Sequence, residues 1–122
     1  MYDYYIKYSS GIFLADIKQI IKSYESIIFE SSINIYNIEF SDDSDYITIL
    51  SSGTYIINLS AQFTTECNLT LFVNESPDLF TRIYSNSGII NIHELLKLNK
   101  NDKISIRNTS SYPIETKKVI IN

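Results

Sequence analysis

The chain has 122 residues, the length of one domain, and a formal net charge of −4 at neutral pH. Hydrophobic residues make up 44% of it and charged residues 20%, a balance that excludes a disordered chain or a charged tail. A nucleic-acid binder needs a basic surface to displace counterions from phosphates, so this acidic chain is not expected to have a nucleic-acid partner.

The targeting and cysteine patterns exclude further classes. The N-terminal sequence has no basic region followed by an apolar run, so no signal peptide is predicted. No stretch approaches the roughly 18 apolar residues of a membrane-spanning helix, and no membrane partner is expected. Cys67 is the single cysteine. Because it has no partner for an intrachain disulfide, we expect a buried structural thiol.

The first ten residues are rich in tyrosine and fit two interpretations. In an extended segment, Tyr2, Tyr4, Ile6 and Tyr8 fall on one side. They form either an ordinary first strand or an exposed arm that pairs with a neighbouring subunit by strand addition. In the second interpretation these four residues are candidates for self-association.

Residues 16–28 have the one pattern that fits a helix, with Asp16 in the N-cap position. A pair of strands, 11–18 and 26–30, is the alternative that the β pattern of the remaining chain favours. The apolar residues at helical spacing are Ile17, Ile20, Ile21, Tyr24 and Ile28.

Alternating hydrophobicity predicts strands throughout the rest of the chain. The clearest strand is 53–63, where Ile56 is the one apolar residue on the polar face. In the strand around 68–73, Phe72 is likewise apolar on the polar side, so Ile56 and Phe72 are candidates for burial between subunits. Many short strands at this spacing indicate an all-β sandwich or barrel in a single domain, residues 1–122. The other predicted strands are 34–40, 46–50, 79–84, 90–98, 103–107 and 115–121.

Four strand motifs occur in the order found in one known superfamily. The chain resembles the jelly-roll heads of the complement q-component and tumour-necrosis-factor superfamily, and is most similar to the C-terminal domains of collagen-like exosporium glycoproteins of bacterial spores. It differs from those glycoproteins in having no Gly-X-Y repeat. The matching positions are Phe29; Gly53 and Tyr55; Leu69, Leu71 and Asn74; and Leu98, Asp102, Ile104, Ile106 and Asn108.

The resemblance implies a jelly-roll β-sandwich of two antiparallel sheets that assembles as a trimer. Two of its positions have a physical account in the sequence itself. Gly53 would permit an irregular backbone where the chain enters the long strand. The turn at 99–102 has Asn and Asp side chains that can cap their own backbone.

Residues able to carry chemistry are few. His93 is the only histidine, lies on the polar side of a strand, and has no cysteine or histidine at ligand spacing. A solvated turn is the preferred interpretation of Asp42, Asp43 and Asp45, with a calcium site as the alternative. We therefore predict no catalytic residue, no metal and no cofactor.

The sequence accordingly predicts a non-enzymatic structural subunit. Its main partner would be itself, as a homotrimer or a higher assembly, with other surface or virion proteins as further partners. By resemblance it belongs to a spore surface, an appendage or a virion. The alternative is a head that recognises a carbohydrate or a receptor through loops at one end of the sandwich.

Overall fold

The computed structural model describes residues 9–122, so the candidate self-association residues Tyr2, Tyr4, Ile6 and Tyr8, predicted as a first strand or an arm, lie outside the described residues. Within that range the chain is built from short strands, and no helix there is long and apolar enough to cross a membrane. A 3-10 turn at Leu79–Thr81 separates β8 from β9. The strands are β1 (Ser10–Ala15), β2 (Ile20–Ile21), β3 (Ser31–Tyr36), β4 (Ile38–Glu39), β5 (Ile47–Ile49), β6 (Gly53–Phe63), β7 (Cys67–Val73), β8 (Ser76–Pro77), β9 (Ile83–Ser85), β10 (Ile89–Leu98), β11 (Lys103–Asn108) and β12 (Ile114–Ile121).

The strands form two antiparallel sheets that face each other. The first has the order β10-β6-β12-β1-β3, with β2 paired to β12. The second has the order β4-β5-β11-β7-β8, with β9 paired to β7. Apart from the consecutive pairs β4-β5 and β7-β8, neighbouring strands in each sheet are not consecutive in the sequence, as in a jelly roll. The predicted fold class, an all-β sandwich of two antiparallel sheets, is confirmed.

Alternation along the strands builds the core between the sheets. In β6 the inward side chains Ile57, Leu59, Ala61 and Phe63 are buried, and the residues between them are exposed. The opposite sheet contributes the inward row of β7, including Leu69 and Leu71. One face of each sheet is thus sealed by the other, and each outer face is left for solvent or a partner.

The helix alternative for residues 16–28 is wrong. Only Ile20–Ile21 forms a strand there, and Ser26 and Phe29 make single bridges to Arg107 and Ser44. The backbone N–H groups that a helix would use internally donate across the fold instead: Tyr24 to the carbonyl of Asn108 at 2.6 Å and Ile27 to that of Ile106 at 2.8 Å. Of the two alternative strands, the first corresponds to β1, and the second is reduced to these bridges.

The two glycines that flank the β6–β10 ladder differ in what they need. Gly53 has no positive φ, and a Cβ added there would come no closer than 4.0 Å to another side chain, so the irregular backbone expected at Gly53 is absent. Gly88 has a φ of 82°, and an added Cβ would lie 2.5 Å from the carbonyl oxygen of Phe63. Glycine is therefore required at Gly88, in the turn before β10.

Candidate interaction surfaces

Most of the residues that carry the superfamily resemblance are buried. Tyr55 is half-buried, and its hydroxyl donates to the carbonyl of Ser51 at 2.6 Å. A buried row of this kind holds the two sheets together and offers no surface to a ligand. The buried apolar members are Phe29, Leu69, Leu71, Leu98, Ile104 and Ile106.

Two polar members of the resemblance meet at one end of the second sheet. Asn74 has a φ of 56° and donates through Nδ2 to Oδ1 of Asp102 at 3.1 Å. Its Oδ1 accepts the backbone N–H of Lys103 at 3.0 Å, and Asp102 accepts the N–H of Asn99 at 2.8 Å. The capping expected for the turn at 99–102 is therefore present, and Asn74 ties that turn to the end of β7.

Asn108 is the third polar member and is completely buried. Its Nδ2 donates to the carbonyls of Ile21 at 3.0 Å and Tyr112 at 2.9 Å, and its Oδ1 accepts the N–H of Ser110 at 2.9 Å. Its backbone N–H also donates to the carbonyl of Glu25 at 3.0 Å. Asn108 therefore holds residues 16–28, the segment that the sequence leaves ambiguous, against β11.

The outer face of the first sheet exposes an apolar pair. Ile56 on β6 is 59% exposed and lies directly opposite Leu95 on β10, which is 63% exposed. The next position along this face pairs Asn58 with His93, whose side chains are hydrogen-bonded to each other. Leu95 was missed in the sequence because Glu-Leu-Leu-Lys-Leu does not alternate there. Only the pairing register brings it beside Ile56.

Phe72, the other candidate for self-association, is only 5% exposed. It lies on the outer face of the second sheet, where the guanidinium of Arg107 lies 4.2 Å from its ring centroid. Pro77 of β8 is its pairing partner on the neighbouring strand. The chain itself covers this ring. Phe72 therefore has little apolar area left to bury against a second copy, and the exposed pair is formed by Ile56 and Leu95.

The residues that could act as a nucleophile or as metal ligands do not form a site among the described residues. Cys67 is buried, as expected, and burial raises the pKa of its thiol to about 11. Its thiol is therefore protonated near neutral pH and is a poor nucleophile. Asp42, Asp43 and Asp45 are exposed in a turn, and within residues 9–122 no three Asp, Glu, His or Cys side chains are grouped closely enough to hold a metal ion.

Comparison with known proteins identifies the fold. No family model matches the chain, and no curated protein matches it. Among solved structures, the globular domain of the zebrafish complement 1qA protein superposes with a TM-score of 0.74, over 92% of this chain and 92% of that one, at 17% identity. Rabbit GITRL superposes with a TM-score of 0.51, over 69% of this chain and 73% of that one, at 20% identity.

These likenesses define the chain as a β-sandwich of the jelly-roll class. More particularly, the chain shares its fold with the complement 1qA globular domain and with GITRL, and this confirms, at the level of fold, the resemblance seen in the sequence. At identities of 17% and 20% the superpositions establish the fold alone.

Proposed function

We propose that this chain is a non-enzymatic structural subunit that associates with copies of itself, as a trimer, in a spore-surface, appendage or virion structure. The observation that carries the proposal is the exposed apolar pair Ile56 and Leu95 on the outer face of the first sheet. The resemblance to exosporium glycoprotein heads supports the spore surface as the first place to look.

The position of this pair favours a protein partner. Single exposed apolar residues are ordinary, but two directly opposed on neighbouring strands form one continuous surface. The strand that carries Leu95 is also an edge strand: among the described residues β10 pairs with β6 alone, in an unbroken register from Ile89 to Leu98. A long regular edge beside an apolar pair is the kind of surface that a second subunit covers.

The same geometry supports a non-enzymatic role. His93 is held by Asn58 on the exposed face, and Cys67 is buried between the sheets. A nucleophile and a base within hydrogen-bonding distance are the minimum for covalent catalysis, and these two residues do not supply them.

The test is the solution mass measured by size-exclusion chromatography with light scattering. The wild-type chain of 14.1 kDa should elute as a trimer, and the variants Ile56→Asp and Leu95→Asp should elute as monomers. A buried carboxylate in an apolar contact is strongly unfavourable, which is why one substitution should be enough.

The matched control is Ile20→Asp. Ile20 is an isoleucine 72% exposed on β2, so the same change of side chain is made away from the proposed contact. This control should remain a trimer. A wild-type chain that stays monomeric at high concentration would contradict the proposal, and so would trimers that persist in both Asp variants.

A further inference from the structure

Two adjoining cavities lie on the outer face of the second sheet. The smaller, of about 280 Å³, has Lys103, Ser105 and Arg107 of β11 along its floor and Tyr46 in its wall. The larger, of about 640 Å³, lies between the segment from Tyr24 to Ile28 and the acidic turn 41–45. Ser26, Asp45 and Arg107 line both, so the cavities form one groove with a polar ridge across its middle.

An exposed tyrosine borders each half of this groove. Tyr46, in the smaller cavity, is 43% exposed, and Tyr24, in the larger, is 65% exposed. A planar ring that is half solvated at the side of a cavity presents a flat apolar surface with a hydroxyl at its edge. Nζ of Lys103 lies 4.8 Å from the centroid of the Tyr46 ring. Tyr24 therefore offers the more open stacking surface, and Tyr46 offers the part of its ring that the lysine leaves exposed.

Tyr24 is held in an unfavourable backbone conformation. Its φ is 67°, a region that costs a bulky residue roughly 1–3 kcal/mol. A tight turn, in which the N–H of Glu25 donates to Lys22 at 3.0 Å, fixes this conformation together with the 2.6 Å bond from Tyr24 to the carbonyl of Asn108. Asn or Gly would adopt this φ at lower cost, and the Tyr24 side chain is 65% exposed, so most of it is not packed against the fold.

The charges in the groove determine what kind of ligand suits it. Glu25, Asp42, Asp43 and Asp45 line the larger cavity, against the single cation Arg107. The guanidinium of Arg107 is in turn paired with Glu75 at 2.9 Å. The surplus of carboxylates repels anions, and these side chains are not grouped as metal ligands within residues 9–122.

We propose that this groove binds a neutral oligosaccharide, with one sugar ring against Tyr24 and the next against Tyr46. The apolar face of one pyranose would pack on the Tyr24 ring, and the next would contact the part of Tyr46 that Lys103 leaves exposed. The sugar hydroxyls would donate to the carboxylates of Asp45 and Asp42 and accept from Arg107. Flat apolar surfaces combined with a few polar groups are what a small-molecule site requires. The site is independent of self-association, because the pair Ile56 and Leu95 lies on the other sheet.

The first experiment is an array that displays neutral gluco-, manno- and galacto-oligosaccharides beside sialylated and sulfated ones. We expect binding to neutral oligosaccharides of two or more rings and none to the anionic ones. Absence of neutral binders at high protein concentration would overturn the proposal. A preference for sialylated or sulfated glycans would overturn it as well, since the groove carries excess negative charge.

The second experiment is a calorimetric titration of variants with the strongest neutral binder from the array. Tyr24→Asn removes the ring and places at this φ a residue that tolerates it, so the variant should fold at least as well as the wild type. We expect its Kd, and that of Tyr46→Ala, to rise roughly tenfold, as for the loss of one aromatic contact.

The control is Tyr84→Ala, which removes a tyrosine 57% exposed on β9, outside the groove. Its Kd should equal that of the wild type. If Tyr24→Asn and Tyr46→Ala also bind with the wild-type Kd while thermal unfolding shows them folded, the sugar is bound elsewhere and the proposal is wrong.

Discussion

The two outer faces of the sandwich are built from the same alternation of residues, yet they differ in how far their outward apolar side chains are exposed. On the first sheet, Ile56 and Leu95 stand opposite each other with more than half of each side chain exposed. On the second sheet, Phe72 occupies an equivalent outward position and is almost completely covered, with Arg107 lying over its ring. Tyr46 on the same sheet has the ammonium group of Lys103 4.8 Å from its centroid.

The difference shows how one chain separates folding from association. On the second sheet, the Arg107 side chain of β11 covers the ring of Phe72, so burial of that ring contributes to the stability of the single subunit. On the first sheet no side chain of residues 9–122 covers Ile56 and Leu95 in this way. Their exposed apolar area can stabilise the protein only when a partner subunit covers it. Substitutions on the two faces should therefore alter different measurements.

The largest effect should come from the turn that sets the register of the exposed pair. Gly88→Ala combines a φ of 82° with a Cβ 2.5 Å from a backbone oxygen, and should lower the free energy of unfolding by about 4 kcal/mol or more. Because β10 begins just after this turn, the variant should also lose association. Denaturant unfolding and solution mass measure the two effects.

Gly53→Ala is the matched control at the other end of the same ladder. Its added Cβ has free space and its φ is not positive, so the free energy of unfolding should change by less than about 1 kcal/mol. Equal losses at Gly53 and Gly88 would mean that the backbone of this ladder differs from the one described.

A smaller effect, confined to stability, is expected from Phe72→Ala. Removing a ring that the subunit itself covers should lower the free energy of unfolding by about 3 kcal/mol and leave the association constant unchanged. Ile56→Ala should do the opposite, with a change in stability below about 0.5 kcal/mol and weaker association. Loss of association in a folded Phe72→Ala variant would remove the distinction between the faces.

Strands could be predicted from the sequence where apolar and polar residues alternate strictly, as in β6. Where this alternation fails, the sequence did not define the strands. Isoleucines at spacings of three and four in residues 16–28 fit a helix as well as strands. The choice is made by bonds from Tyr24 and Ile27 to β11, which lies far along the sequence. No local pattern contains that information, because the partner carbonyls become available only when the sandwich has formed.

The exposed apolar pair on the first sheet could be predicted only in part, because its second member depends on contacts between strands distant in sequence. Ile56 is visible in the sequence because it interrupts a polar row, and Phe72 interrupts one in the same way. What separates them is Arg107, which reaches Phe72 from the neighbouring strand and has no counterpart above Ile56 within the described chain. Leu95 and the groove between Tyr24 and Tyr46 depend on strand register and turn geometry, which pattern analysis does not supply.

Three further variants test whether the packing of Arg107 on Phe72, rather than its ion pair with Glu75, covers the outer face of the second sheet. Arg107→Ala should lower the free energy of unfolding by about 1–2 kcal/mol, because it uncovers Phe72. Lys103→Ala should cost less than about 1 kcal/mol, since Tyr46 stays 43% exposed even with the lysine in place. Glu75→Ala should cost almost nothing, because Glu75 is 88% exposed and its bond to Arg107 is screened by water. Urea denaturation of the three variants separates the causes. A loss in Glu75→Ala equal to that in Arg107→Ala would show that the ion pair holds Arg107 over the ring, and the second face would then be closed by charge pairing rather than by the arginine's own packing.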